Sequence, residues 1–172
     1  MAPRPTTNYI PHKCLPVKNY ILRRSFMPSV RKSIEINAPT EVVFDVIANQ
    51  PERMPEWWPP LEEQERVTPP PTQVGSVSRY VYNMMGVKIK GEHEVIELEP
   101  NARLVVQTKS GLDSTFTYTM QPQGAGTLLT VEVEYNLPGS ILGKMLNKLA
   151  VEGKNERDLE EGLNNLKRML ES

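Results

Sequence analysis

Few side chains here are equipped for acid–base or nucleophilic chemistry, and those few do not cluster. His93 is the only histidine after His12, and Cys14 is the only cysteine. His93 falls in an alternating run, residues 87–99. Val87, Ile89, Gly91, His93 and Val95 share one face of it, and Lys88, Lys90, Glu92 and Glu94 share the other. Side chains alternate across a strand, so His93 is expected to point inward. An imidazole there would act as general base in an aldol-type cyclisation, with Tyr80 or Tyr118 supplying a hydroxyl. A core histidine holding an ordinary hydrogen bond is the plainer reading. His12 and Cys14 stand two residues apart with no third group to complete a nucleophilic set. A metal needs three or four convergent ligands, which this chain does not offer, so no metal and no cofactor are expected. Gly124-Ala125-Gly126 reads as a hairpin turn and not a phosphate loop, because no helix follows it.

The faces of the other strand-like runs make the interior unexpectedly polar. Residues 75–84 put Ser78, Tyr80 and Tyr82 inward, and residues 103–110 put Leu104, Val106, Thr108 and Ser110 there. Residues 114–121 contribute Phe116, Tyr118 and Met120, and residues 127–136 contribute Leu129, Val131, Val133 and Tyr135. Burying a hydroxyl or imidazole without a partner costs roughly 1–3 kcal/mol. Eight such groups fit a hollow holding water or a ligand better than a dry core, unless the tyrosine hydroxyls reach solvent at the sheet rim.

These runs need elements to hold them. Short breaks at Met85-Gly86, Pro100-Asn101, Gly111 to Asp113 and Gly124 to Gly126 predict an antiparallel meander. Residues 30–37 and 61–67 bring the sheet to about seven strands. Pro39 opens a short helix with Val42, Val43, Phe44, Val46 and Ile47 on its apolar face. Residues 51–60 form a second helical segment ending in Trp57-Trp58-Pro59-Pro60. That pair reads equally as a plug or as a gate over a cavity mouth, helped by the Met84-Met85-Gly86 turn.

After Pro138 and Gly139, leucines and a methionine recur at three and four: Leu142, Met145, Leu146 and Leu149, then Leu159, Leu163, Leu166 and Leu170. The spacing predicts one amphipathic helix of about 45–50 Å. Glycine inside a helix costs about 1 kcal/mol against alanine. Gly153 and Gly162 therefore mark close packing or a kink, or Gly153 thins the helix where something else must fit. Glu152 and Glu156 lie one turn apart and read as solvated, although either would carry a raised pKa if turned inward.

A length of 172 residues suits one domain. Residues 1–32 carry seven basic residues and no acid, leaving 13 bases against 21 acids in the remainder. So acidic a body argues against nucleic acid, while the basic tail allows weak membrane-surface contact. Pro3, Pro5, Pro11 and Pro16 keep residues 1–27 from forming a regular helix, so they are read as an extension, with Met27 a candidate functional start. The lone cysteine and the lack of an apolar leader point to the cytoplasm.

The order of elements is strand, two short helices, six-strand meander and long helix. That order resembles the START-like (SRPBCC) superfamily, in its polyketide cyclase/dehydrase-type branch. The phrases that carry it are Ile34-Glu35-Ile36-Asn37-Ala38-Pro39-Thr40-Glu41-Val42-Val43-Phe44, Trp57/Trp58-Pro59, Val74-Gly75-Ser76, the Gly126-Thr127 hairpin entry and the terminal leucines. The resemblance covers about residues 28–172. It implies an α+β helix-grip fold, a curved antiparallel sheet of about seven strands (β-α-α-β6-α) wrapped on the C-terminal helix around a cavity. It implies binding or transport of a hydrophobic small molecule: a lipid, polyketide, quinone or isoprenoid-like compound. The alternatives are a cyclase or dehydratase using His93, and a protein-interaction module with a collapsed cavity. The expected ligand-binding residues are Trp57, Trp58, Ser78, Tyr80, Tyr82, His93, Thr108, Phe116, Tyr118 and Tyr135 on the sheet side, with Met145, Leu149 and Gly153 on the helix.

Overall fold

The computed structural model describes residues 29–136 and 148–172. Seven strands form one antiparallel sheet: β1 (Ser29–Ile36), β2 (Leu61–Arg66), β3 (Val77–Met84), β4 (Val87–Glu99), β5 (Arg103–Ser110), β6 (Asp113–Gln123) and β7 (Gly126–Asn136). Their spatial order is β1-β7-β6-β5-β4-β3-β2, so β2 to β7 run as a meander and β1 closes on β7. The turn between β3 and β4 is tight because Met85 and Gly86 both take positive φ, +51° and +88°, the geometry that matches strand twist.

Between β1 and β2 lie α1 (Thr40–Phe44), continuing as a π-helical stretch Asp45–Asn49, then a 3-10 turn Pro51–Arg53 and α2 (Met54–Trp57). Pro39 precedes α1, and its carbonyl accepts from the Val42 and Val43 amides. Val43, Phe44, Val46 and Ile47 are buried as expected, but Val42 is exposed. It sits on the opposite side of the turn from that stripe.

The terminal helix, α3 (Lys148–Leu170), is described over 23 residues. Its Leu159, Leu163 and Leu166 are sealed against the sheet side and α2, and Leu170 is half-buried there. The first half of the predicted stripe, Leu142 to Leu146, lies outside the described residues. The far end of α3 is fastened to β1: Glu171 accepts from the Asn37 amide at 2.6 Å, and Lys167 donates to the Glu35 carbonyl at 2.7 Å.

Two register shifts bend the β4–β5 ladder, one between Glu92 and His93 and one between Val95 and Glu97. Bulges break strict alternation and increase local twist. The first shift turns Ser110, expected inside, out to solvent, and the second exposes Ile96. No helix among the described residues is long and apolar enough to cross a membrane.

Candidate functional site

The sheet curls away from α3 and leaves a cavity of about 100 Å³ between them. Trp58, Ser78, Tyr80, Tyr82 and His93 line it, together with Phe116, Tyr118 and Tyr135. Seven of these were expected from the alternation of side chains, and Trp58 from its place beside the prolines. The apolar remainder of the wall comes from residues such as Val95, Leu104, Val106 and Val133.

Three expected lining residues lie elsewhere, and two fall outside the described side chains. Trp57 lies behind the wall, fully buried, and meets Trp58 edge-on at 5.9 Å. Thr108 is likewise behind the wall: its hydroxyl pairs at 2.7 Å with that of Ser114, which does line the cavity. Gly153 edges a separate outer depression beside Glu152 and Glu156. Among the described residues, a Cβ there would meet only the Arg157 side chain, at 3.6 Å. The glycine that makes room is Gly162, where a Cβ would stand 2.9 Å from the Trp58 ring. Met145 and the side chain of Leu149 lie outside the described residues, as do His12, Cys14 and the basic tail.

Both tryptophans are packed into the core. Trp58 presses edge-on against Phe116 at 6.0 Å, and both indoles are buried. The Trp57 carbonyl accepts from Asn165 of α3, which ties the pair to the helix.

The polar groups fall into two kinds. Tyr80 is a framework residue: its hydroxyl donates to the Ser110 carbonyl at 3.2 Å and accepts from the Leu112 amide at 3.1 Å. The ring lies over Gly91 and Gly111, where a Cβ would fall within 2.6 Å of the hydroxyl. His93 stacks on Tyr80 at 4.2 Å and meets Phe116 edge-on at 5.6 Å. Burial pushes its pKa down to about 4, so the ring is neutral at neutral pH. Burial raises the pKa values of Tyr82 and Tyr118, and the nearby Asp158 carboxylate adds to the effect on Tyr82. The Tyr135 hydroxyl is buried and closes no hydrogen bond of ordinary geometry, although the Asn155 side chain is near enough to act on it.

Among the polar lining residues that sequence reasoning missed are Gln64, Arg66, Asn155 and Asp158. The signal for the first two was in β2, where Gln64 and Arg66 alternate with the solvent-facing Glu63 and Glu65. Asn155 stands four residues before Leu159, on the same stripe, and Asp158 flanks it. Glu152 and Glu156, the helix acids that spacing singles out, are not part of this wall. Glu156 faces out and pairs with Lys32 of β1 at 2.9 Å, which holds its carboxyl below the usual range. Asp158 is the buried helix acid, paired with Lys154 at 2.5 Å. Among the described residues, no group of three or more His, Cys, Asp or Glu converges on a metal position.

The family model described as polyketide cyclase / dehydrase and lipid transport matches residues 27–171. A crystal structure of TTHA0849 from Thermus thermophilus is similar at 26% identity and a TM-score of 0.70, covering 83% of this chain and 97% of that one. A START superfamily protein from Mycobacterium smegmatis is similar at 18% identity and a TM-score of 0.64, covering 83% and 98%. Major latex-like protein 151 from Panax ginseng is similar at 14% identity and a TM-score of 0.64, covering 84% and 97%. These last two likenesses speak to the fold alone. No curated protein sequence matches the chain.

Proposed function

The chain belongs to the polyketide cyclase / dehydrase and lipid transport family, and on that premise we propose that it binds a hydrophobic small molecule between sheet and helix. The observation that carries this reading is the cavity itself. Aromatic and aliphatic side chains line it, with a few polar groups set among them, the composition of small-molecule sites. Lipids, polyketides, quinones and isoprenoid-like compounds all meet that description.

Carriage fits this wall better than cyclisation. A general base working at neutral pH wants a pKa near 7, and burial holds His93 at about 4 with no carboxylate raising it. Tyr80, the tyrosine stacked on it, is tied to backbone on both sides. The third reading needs a collapsed interior, and the space between sheet and α3 is open. Native mass spectrometry of the gently purified protein tests the proposal. A bound apolar molecule is the expected result, and spectra that stay ligand-free after incubation with lipid extracts would count against it.

A further inference from the structure

One register row crosses the inner face of the sheet and carries a polar side chain on every strand from β2 to β7. Arg66 pairs with Ser78, Ser78 with His93, His93 with Thr108, and Ser114 with Tyr135. The Thr108–Ser114 hydroxyl contact closes the remaining step. The neighbouring row is apolar: Val95, Val106, Phe116 and Val133 pair in turn from β4 to β7. An amphipathic ligand lying on this surface would set its oxygens along one line and its hydrocarbon along the next.

Most of the polar row is already occupied. Arg66 is held by Glu52 at 3.1 Å and by Thr72. Ser78 accepts from Gln64 at 3.3 Å, and Thr108 and Ser114 satisfy each other. His93 and Tyr135 are the exceptions. They are 8% and 2% exposed and both line the cavity. Among the described residues, neither side chain closes a hydrogen bond of ordinary geometry. Their backbones stand three strand spacings apart, roughly 14 Å at about 4.8 Å per strand. A neutral imidazole offers one N–H and one bare nitrogen, and a phenol both donates and accepts. The Tyr135 hydroxyl, buried and unmet, costs free energy that a bound oxygen would restore.

The charges in the wall argue for a neutral partner. Among the described lining residues only Arg66 and Asp158 are charged, and each is paired within the protein. A carboxylate or phosphate entering here would find no free cation among the described residues and would approach the Asp158 carboxylate.

We propose that the cavity takes a neutral ligand with an apolar body and hydroxyl or carbonyl oxygens at two places, one hydrogen-bonded to the His93 imidazole and the other to the Tyr135 hydroxyl. This rests on the reading of the cavity as a ligand site and narrows its ligand class. The test measures Kd by calorimetry for the full chain and for His93→Phe and Tyr135→Phe, with three probes: naphthalene, 2,6-dihydroxynaphthalene and 2-naphthoate. The diol is expected to bind at least about tenfold tighter than naphthalene, and tighter than the naphthoate. Each variant should weaken diol binding about 5–10-fold, the worth of one hydrogen bond, and weaken naphthalene binding less. Tyr135→Phe removes a single oxygen and keeps the packing, so it stands as the test if His93→Phe folds poorly. Equal losses for diol and naphthalene, or tighter binding of the naphthoate, overturn the assignment alone. Absence of binding by all three probes overturns the ligand-binding reading and this assignment with it.

Discussion

At the scale of single residues, His93 and two glycines make the sharpest predictions. The folded pKa of His93, about 4, lies below the ordinary value of 6.5. Between those values the unfolded chain binds the proton and the folded chain does not, so stability falls as pH drops through that window. Unfolding free energy from urea titration should therefore decline from pH 7 to pH 4.5. His93→Phe should decline less, by about 2–3 kcal/mol. Equal declines would show that the imidazole is charged in the folded protein. Gly162→Ala gains helix propensity but drives a methyl into Trp58, and overpacking costs typically 1–3 kcal/mol. It should lose about 1 kcal/mol. Gly153→Ala makes only an ordinary contact with the flexible Arg157 side chain among the described residues and should gain up to about 1 kcal/mol. Opposite shifts in the urea midpoint check the pair.

Between elements, the junction of the β6–β7 turn with the end of β1 is a close contact that no apolar pattern announces. Thr127 is buried and donates from Oγ1 to the Ala38 carbonyl at 2.7 Å. Beside it, a Cβ on Gly126 would stand 2.5 Å from the Ile36 carbonyl oxygen, a backbone atom with little freedom to move. Thr127→Val keeps the shape and leaves that carbonyl unmet, so it should cost about 1–2 kcal/mol. Gly126→Ala forces the two strand ends apart and should cost more than about 2 kcal/mol. Thermal melts of both variants check the order; a milder Gly126→Ala would mean that the turn can shift. The sequence showed a Gly-Thr hairpin entry but not its partner, which is 89 residues away along the chain.

For the whole molecule, we propose residues 28–172 as one folding unit with residues 1–27 as an extension. The family match begins at residue 27, and β1 starts at Ser29. A chain begun at Met27 should melt within a few degrees of the full chain and bind the same probes with unchanged Kd; a large loss in either would place residues 1–26 in the folded unit. The number of strands, their order along the chain and most of their inner faces were legible without coordinates. Alternation and turn chemistry are local, and Tyr80, His93, Tyr118 and Tyr135 obey them. So was the leucine stripe of α3, which depends only on helical period. What escaped were matters of register and rotation. Two bulges move Ser110 and Ile96 outward, and the turn of α3 about its axis presents Asn155, Asp158 and Gly162 where spacing alone points to Glu152, Glu156 and Gly153. The single row joining His93 to Tyr135 exists only once four strands are paired. By itself, then, the sequence determined which face of each element is apolar, because that follows from spacing along one segment. Only the tertiary structure decided which polar groups meet inside, because pairing between distant segments sets the register.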